Sequence, residues 1–188
     1  SCRNVYGGRL FNVFTYTNAK EATGSWGKEV MPENMTAKEV NACNGGILIV
    51  PAKRNIDGKQ LFVALQSVPL SAKRDSVGFY YKEIARYADY STAAALGKNW
   101  KKGLRVTDES SCYSTMVNMS NHRIGFLYEV RGQNDGYDIE FVSLSLNDIT
   151  NGEYTILPHV DRTQFLKDAA LARKGKTQPR NKSNIRKK

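Results

Sequence analysis

The stretch "GGILIVPAKRNIDGKQLFVALQSV" (residues 45–68) decides the fold. Residues 45–54 form a continuous apolar segment, "NIDGK" (55–59) contains an Asp-Gly pair, and 60–68 returns to apolar and β-branched residues. An Asp-Gly turn between two such segments is a strong hairpin signal, because Asp and Gly tolerate the positive φ angles of a tight turn. The stretch therefore predicts an antiparallel β-hairpin to which other strands can add.

Strand signals recur over most of the chain, whereas convincing helical periodicity is confined to 163–175. Residues 88–96 fit either a helical turn or a small-residue loop. Many short strands with few helices predict an all-β, antiparallel sandwich, barrel or propeller. The predicted strands outside the hairpin are 9–17 (with Leu10, Asn12, Phe14 and Tyr16 on one face), 75–84, 113–120 and 123–130 about Asn121-His122, and 138–150.

Two tryptophans favour the propeller among these architectures. Trp26 and Trp100 each follow small or Gly residues and precede a return to strand, and they lie 74 residues apart. That separation is close to twice the propeller repeat of about 40–45 residues. Anchoring of a hydrophobic core explains the two tryptophans equally well.

The charge of the chain is concentrated at one end. Of 188 residues, the last sixteen (173–188) hold eight Lys or Arg and no acid, and the remainder carries 20 basic and 18 acidic residues. This pattern indicates a solvated flexible tail; an arm for an anionic surface is the alternative. The body has no basic stripe with interleaved aromatics, so we expect no nucleic-acid partner. No apolar run approaches the ~18 residues of a membrane span.

The cysteines and histidines do not form a metal-binding pattern. Cys2, Cys43 and Cys112 are widely spaced, and His122 and His159 are the two imidazoles in the sequence. We therefore expect no metal and no other cofactor. An odd cysteine count also argues against a disulfide framework and favours small buried thiols.

At "CYSTMVNMSNHRIGFLYE" (112–129) and "YDIEFVSLSLNDIT" (137–150) the sequence resembles the exo-sialidase (neuraminidase) family, whose catalytic domains are six-bladed β-propellers. The resemblance extends over most of residues 1–156, including "SCRNVYGGRLFNVFTYT" (1–17), "NACNGGILI" (41–49) and "AKRDSVGFYYKEI" (72–84). The Asp-box of the family, Ser-x-Asp-x-Gly-x-Thr-Trp, survives only as "KEATGSW" and "LGKNW", without its aspartate.

The resemblance implies that residues 1–160 form about three blades, the C-terminal half of the propeller, followed by a helix at 161–174 and a basic flexible tail at 175–188. The family's first triad arginine, acid/base aspartate and tyrosine-partnering glutamate belong to the N-terminal half. We expect that half in the same or a separate chain.

Tyr113 matches the catalytic nucleophile of the family. A sialic acid carries a carboxylate on its anomeric carbon, so a neutral phenol approaches that carbon without the repulsion that a carboxylate nucleophile meets. Without the resemblance, a tyrosine at a strand end is more often a packing residue.

The resemblance also implies an arginine clamp on the substrate carboxylate. Arg3 and Arg74 match the second and third triad arginines. Arginine suits this role because a guanidinium binds a carboxylate through two parallel donors. Arg9 and Arg54 are the close competitors, and a surface salt bridge is the alternative role for each arginine.

Two further polar residues match family positions. Glu129 corresponds to a glutamate that orients the first triad arginine, and Asn44 stands where the family often has a glutamine in the glycan pocket. Asparagine beside two glycines is also ordinary turn chemistry. We expect the other loop acids, Asp108, Glu109 and Asp135, to be solvated.

The resemblance implies a retaining exo-α-sialidase acting on sialylated glycans, secreted, periplasmic or at the cell surface. A trans-sialidase of the same fold is one alternative. A catalytically inactive propeller that binds sialylated glycans or a protein partner is the other.

Overall fold

The structure, a computed structural model, describes residues 1–3, 9–35, 43–71, 73–132 and 136–176. Within these ranges the chain forms mainly antiparallel strands and ends in a helix. The strands are β1 (Cys2–Arg3), β2 (Arg9–Leu10), β3 (Phe14–Asn18), β4 (Thr23–Trp26), β5 (Ile47–Arg54), β6 (Gln60–Pro69), β7 (Val77–Ile84), β8 (Lys101–Arg105), β9 (Ser114–Asn118), β10 (Ile124–Arg131), β11 (Tyr137–Leu144) and β12 (Tyr154–Ile156). The helices are α1 (Ala93–Leu96), α2 (Leu146–Ile149) and α3 (Thr163–Lys176), with a 3₁₀ turn at Tyr87–Asp89.

The strands form two main sheets. The larger sheet has the order β12-β5-β6-β7-β8 and the smaller has the order β11-β10-β9, while β1-β2 and β3-β4 form separate pairs. The predicted hairpin is confirmed as β5 and β6, with Gly58 at φ 71° in the turn. The predicted pairing about Asn121-His122 is also confirmed, as β9 and β10.

The two main sheets pack face to face around the first hydrophobic core. Alternation along β6 directs Leu61, Val63 and Leu65 into this core, and the rings of Phe79 and Phe126 meet across it at 4.6 Å. Sheet-on-sheet packing of this kind directs alternate residues of a strand into the shared core. The antiparallel all-β prediction is therefore correct.

A second core covers the opposite face of the five-stranded sheet. Phe11 stacks on Trp100 with ring centroids 5.2 Å apart, and Trp100 donates its indole N–H to the Leu96 carbonyl at 2.7 Å. Trp26 differs, since it is 67% exposed on the β3-β4 hairpin. The similar local sequences around the two tryptophans thus correspond to different environments, and core anchoring accounts for Trp100.

Two predicted strands are wrong in part. The strand 9–17 is interrupted between Leu10 and Phe14, because the Asn12 side chain bonds to the main chain of Val13 and Gly27 and so competes with strand pairing. The strand 138–150 ends at Leu144. There Ser145 accepts a hydrogen bond from the Asp148 N–H and starts α2.

The helical predictions fare better. Residues 93–96 of the ambiguous 88–96 segment are the helix α1, capped by Thr92, and the predicted terminal helix is α3. Residues 177–188 of the predicted tail lie outside the described residues.

Candidate functional site

Tyr113 lies at the entrance to β9, where the smaller sheet opens to solvent. Its side chain is 37% exposed, so the ring does not belong to the buried core. The Tyr113 carbonyl accepts from the Glu129 N–H at 2.9 Å, and the Tyr113 N–H donates to Glu129 Oε2 at 3.1 Å. The Glu129 carboxylate thus fixes the main chain of Tyr113.

Arg74 lies beside the segment that leads into Tyr113. The Arg74 carbonyl accepts from the Ser111 N–H at 2.9 Å and from the Ser110 hydroxyl at 3.3 Å. These two hydrogen bonds hold the segment that leads into β7 next to the segment that leads into Tyr113 and β9.

The Arg74 guanidinium is exposed and surrounded by groups that favour its positive charge. Its Nη1 donates to Cys112 Sγ at 3.5 Å. The nearby thiols of Cys43 and Cys112 and the phenol of Tyr113 raise the pKa of Arg74. Within the described residues, no carboxylate lies within ion-pair distance of this guanidinium.

A buried arginine fixes the segment that carries Asn44. Arg9 is 3% exposed and donates to the carbonyls of Cys43 at 2.8 Å and Gly45 at 3.3 Å, one on each side of Asn44. Burial lowers the pKa of Arg9. The Asn44 side chain is exposed, so the segment presents it to solvent.

Hydrogen bonds join this segment to the start of β9. The Gly46 N–H donates to Ser67 Oγ at 2.9 Å, and the Ser114 hydroxyl donates to the same oxygen at 2.9 Å. Ser114 is the neighbour of Tyr113, so the Asn44 segment lies beside the entrance to β9.

The structure separates the candidate arginines. Arg54 forms ion pairs with Asp57 at 3.1 Å and Glu83 at 2.9 Å, and Arg9 is bound to carbonyls, so neither matches the exposed setting of Arg74. Arg3 pairs with Arg9 between β1 and β2, which ties its main chain to the Asn44 segment. The Arg3 side chain lies outside the described part of the chain.

The loop acids lie in polar surroundings. Asp108 is exposed and pairs with Arg105 at 2.7 Å, Glu109 is exposed, and Asp135 lies outside the described residues. In the described ranges, no group of three His, Cys, Asp or Glu side chains is arranged to hold a metal ion. No described helix has the length and apolar character needed to cross a membrane.

A shallow depression of about 190 Å³ adjoins the Tyr113 entrance, with Leu127, Glu129 and Ile139 among its lining residues. Three larger cavities lie elsewhere in the described part of the chain: an apolar groove of about 380 Å³ beside Phe62 and Phe165, a polar cavity of about 560 Å³ beside Arg54, and a polar cavity of about 230 Å³ beside Lys82 and Asp89. Of these four, the small depression is the one that adjoins Tyr113 and Glu129, while Arg74 and Asn44 are not among its lining residues.

Two residues near the Arg74 guanidinium, Cys112 and Tyr137, were not connected with the site from the sequence. Cys112 was predicted only to be a buried thiol, which it is, and Tyr137 was not singled out. The Cys112 thiol donates to the Tyr137 hydroxyl at 3.3 Å while accepting from Arg74. The position of Cys112 directly before Tyr113 is the one sequence signal that pointed to it.

Comparison with known proteins does not assign a family: no family model matches the chain, and no curated protein matches it.

Proposed function

We propose that this protein is a retaining exo-α-sialidase that releases terminal sialic acids from glycoconjugates. The observation that carries the proposal is that hydrogen bonds join Arg74 to Ser110, Ser111 and Cys112, the residues directly before the partly exposed Tyr113, while the Arg74 guanidinium has no carboxylate partner among the described residues. A sugar acid needs both: a cation for its carboxylate and a neutral nucleophile for its anomeric carbon.

In the first step, the Tyr113 oxygen bonds to the anomeric carbon and the bond from that carbon to the glycosidic oxygen breaks. The phenol proton passes to a glutamate, and the leaving oxygen takes a proton from an aspartate, both supplied by the other half of the propeller. Water then bonds to the anomeric carbon as the bond from that carbon to Tyr113 breaks; the water gives a proton to the aspartate and the glutamate returns its proton to the phenol, so sialic acid is released with retained configuration and all three groups are restored.

Arg74 binds the substrate carboxylate, and Arg3 joins it from the neighbouring strand pair. Asn44 contacts the glycan from the segment that Arg9 fixes. Glu129 accepts a hydrogen bond from the Tyr113 N–H. In the complete propeller, Glu129 would also orient the first triad arginine, as the resemblance implies. The substrates place the protein outside the cytoplasm: secreted, periplasmic or at the cell surface.

The sheets are about three blades of a six-bladed propeller, completed by an N-terminal half in the same or a separate chain. The support is the outer face of the smaller sheet, which carries exposed apolar side chains although its inner face is packed. A face of this kind normally has a partner. The exposed residues are Val117 (56%), Leu127 (40%), Tyr137 (46%), Ile139 (67%) and Phe141 (56%).

The test is hydrolysis of a fluorogenic sialoside by the complete propeller. Tyr113→Phe should remove nearly all release of the fluorophore, because the nucleophilic oxygen is lost, whereas Tyr16→Phe, on a distant exposed hairpin, should not. Wild-type-like turnover in Tyr113→Phe would end the nucleophile assignment. A wild type that binds sialosides without hydrolysing them supports the inactive glycan-binding propeller instead.

A second pair of variants tests the clamp. Arg74→Lys should weaken substrate capture sharply, because a lysine offers no parallel donor pair. Arg54→Lys is the matched control, since Arg54 is already paired with two carboxylates. An unchanged KM and kcat in Arg74→Lys would remove Arg74 from the site.

A further inference from the structure

We propose that Cys112, oriented by Tyr137, is a positioning residue that holds the Arg74 guanidinium toward the substrate carboxylate. The proposal rests on the proposed function for its substrate, and on the geometry of three side chains for its mechanism. It assigns a task to two residues that the sequence did not connect with the site.

The thiol of Cys112 has a defined direction. Cys112 is 3% exposed, and its S–H donates a hydrogen bond to the Tyr137 hydroxyl at 3.3 Å. Because the S–H points at Tyr137, the sulfur lone pairs are left to accept from Arg74 Nη1 at 3.5 Å.

A sulfur acceptor suits an arginine that must also bind substrate. A carboxylate would take guanidinium donors and offset its charge: in Arg54, Asp57 pairs with Nη1 and Glu83 with Nη2. Sulfur is a weak acceptor that uses one donor. Within the described part of the chain, Cys112 therefore restrains Arg74 and leaves most donors of the guanidinium, and its charge, for the ligand.

The main chain supports the same arrangement. Ser111 donates its N–H to the Arg74 carbonyl, and Cys112 immediately precedes Tyr113. The clamp and the phenol are thus held by consecutive residues of one segment, and a displacement of Arg74 relative to Tyr113 requires the Cys112 contact to break.

The first experiment needs no substrate. In the complete protein labelled with ¹⁵N-arginine, the Arg74 side-chain signal, assigned with Arg74→Lys, should show restricted guanidinium rotation. Cys112→Ala should release that restriction, Tyr137→Phe should weaken it, and Cys112→Ser should largely keep it because a hydroxyl also donates and accepts. Ser111→Ala is the matched control: its buried hydroxyl has no hydrogen-bond partner among the described residues, so the signal should not change. Unchanged rotation in Cys112→Ala would overturn the proposal.

The second experiment measures the effect on ligand. N-acetylneuraminic acid should bind Cys112→Ala about three- to tenfold more weakly, the effect of losing one ordinary hydrogen bond. Its methyl ester should bind the two proteins equally, and KM should rise with little change in kcat. Equal weakening of acid and ester would indicate a structural role and overturn the proposal. A wild type that binds neither compound would refute the proposed function, while the rotation measurement would still decide the role of Cys112.

Discussion

The three described arginines of the site region show how local partners decide what one residue type does. Arg9 is buried and donates to backbone carbonyls, and Arg54 forms ion pairs with two carboxylates. Among the described residues, the Arg74 side chain donates only to the Cys112 thiol. The sequence could not rank them securely, because their partners lie tens of residues away: Cys112 is 38 positions from Arg74 and Glu83 is 29 from Arg54.

At the same scale, Gly45 is a specific prediction. A Cβ at Gly45 would lie 1.9 Å from the Ser67 carbonyl oxygen, whereas a Cβ at Gly46 meets its nearest atom at 3.4 Å. Gly45→Ala should therefore lower the free energy of unfolding by about 1–3 kcal/mol, the usual effect of overpacking. Gly46→Ala should change it by less than about 0.5 kcal/mol.

Chemical denaturation of both variants checks this prediction. Equal stability of the two would mean that the backbone around Asn44 is not confined by Ser67 as the geometry requires.

At the scale of the element, local signals were predictable and long-range pairings were not. The β5-β6 hairpin was predicted because its turn and both strands lie within 24 consecutive residues. The pairing of β12 with β5 was not, since it joins residues about one hundred positions apart, such as Thr155 and Lys53. The α2 helix was missed although its Ser-x-x-Asp capping signature is in the sequence at 145–148, because the apolar alternation before it appeared to continue.

The cap of α2 gives the prediction for this scale. The Ser145 hydroxyl accepts from the Asp148 N–H at 3.0 Å and donates to its carboxylate at 2.6 Å. Ser145→Ala should destabilise the protein by about 1 kcal/mol, because the first turn loses its acceptor. Thermal unfolding should show a lower Tm for Ser145→Ala and no shift for Ser120→Ala in an exposed turn. Equal Tm values would argue against the cap.

At the scale of the whole molecule, buried phenols make stability depend on alkaline pH. Burial, followed by hydrogen bonding to Glu140, raises the pKa of Tyr128 to about 12, and burial also raises the pKa values of Tyr81 and Tyr154. An unfolded tyrosine ionises near pH 10. Between about pH 10 and 12 the unfolded chain has lost protons that the folded chain retains, so the contribution of these phenols is complete below pH 10 and declines as the pH rises.

The free energy of unfolding should therefore fall between pH 10 and 11.5. Tyr128→Phe should reduce that slope, whereas Tyr16→Phe, at an exposed position, should not. Lys82 acts in the opposite direction below about pH 10.4, the pKa of an unfolded lysine, because burial lowers the pKa of Lys82 in the folded protein; above that pH its contribution is constant. Denaturant titrations at a series of pH values measure the slope, and an identical slope in wild type and Tyr128→Phe would contradict the argument.

At the same scale, some features could be predicted from the sequence and others could not. Antiparallel sheets and a terminal helix follow from periodicity and turns, and Tyr113 and Arg74 were identified from a resemblance. The outer face of the smaller sheet carries exposed apolar side chains, and in the proposed propeller another half would cover them. The pattern of these strands does not identify such a partner.

The most direct test is covalent trapping of the proposed intermediate. A fluorinated sialosyl fluoride, whose glycosyl-enzyme forms faster than it hydrolyses, should add one sialosyl mass to the complete protein. Peptide mapping by mass spectrometry should locate that mass on Tyr113, and Tyr113→Phe should remain unlabelled. Labelling of another residue, or none in a protein that turns over sialosides, would contradict the account.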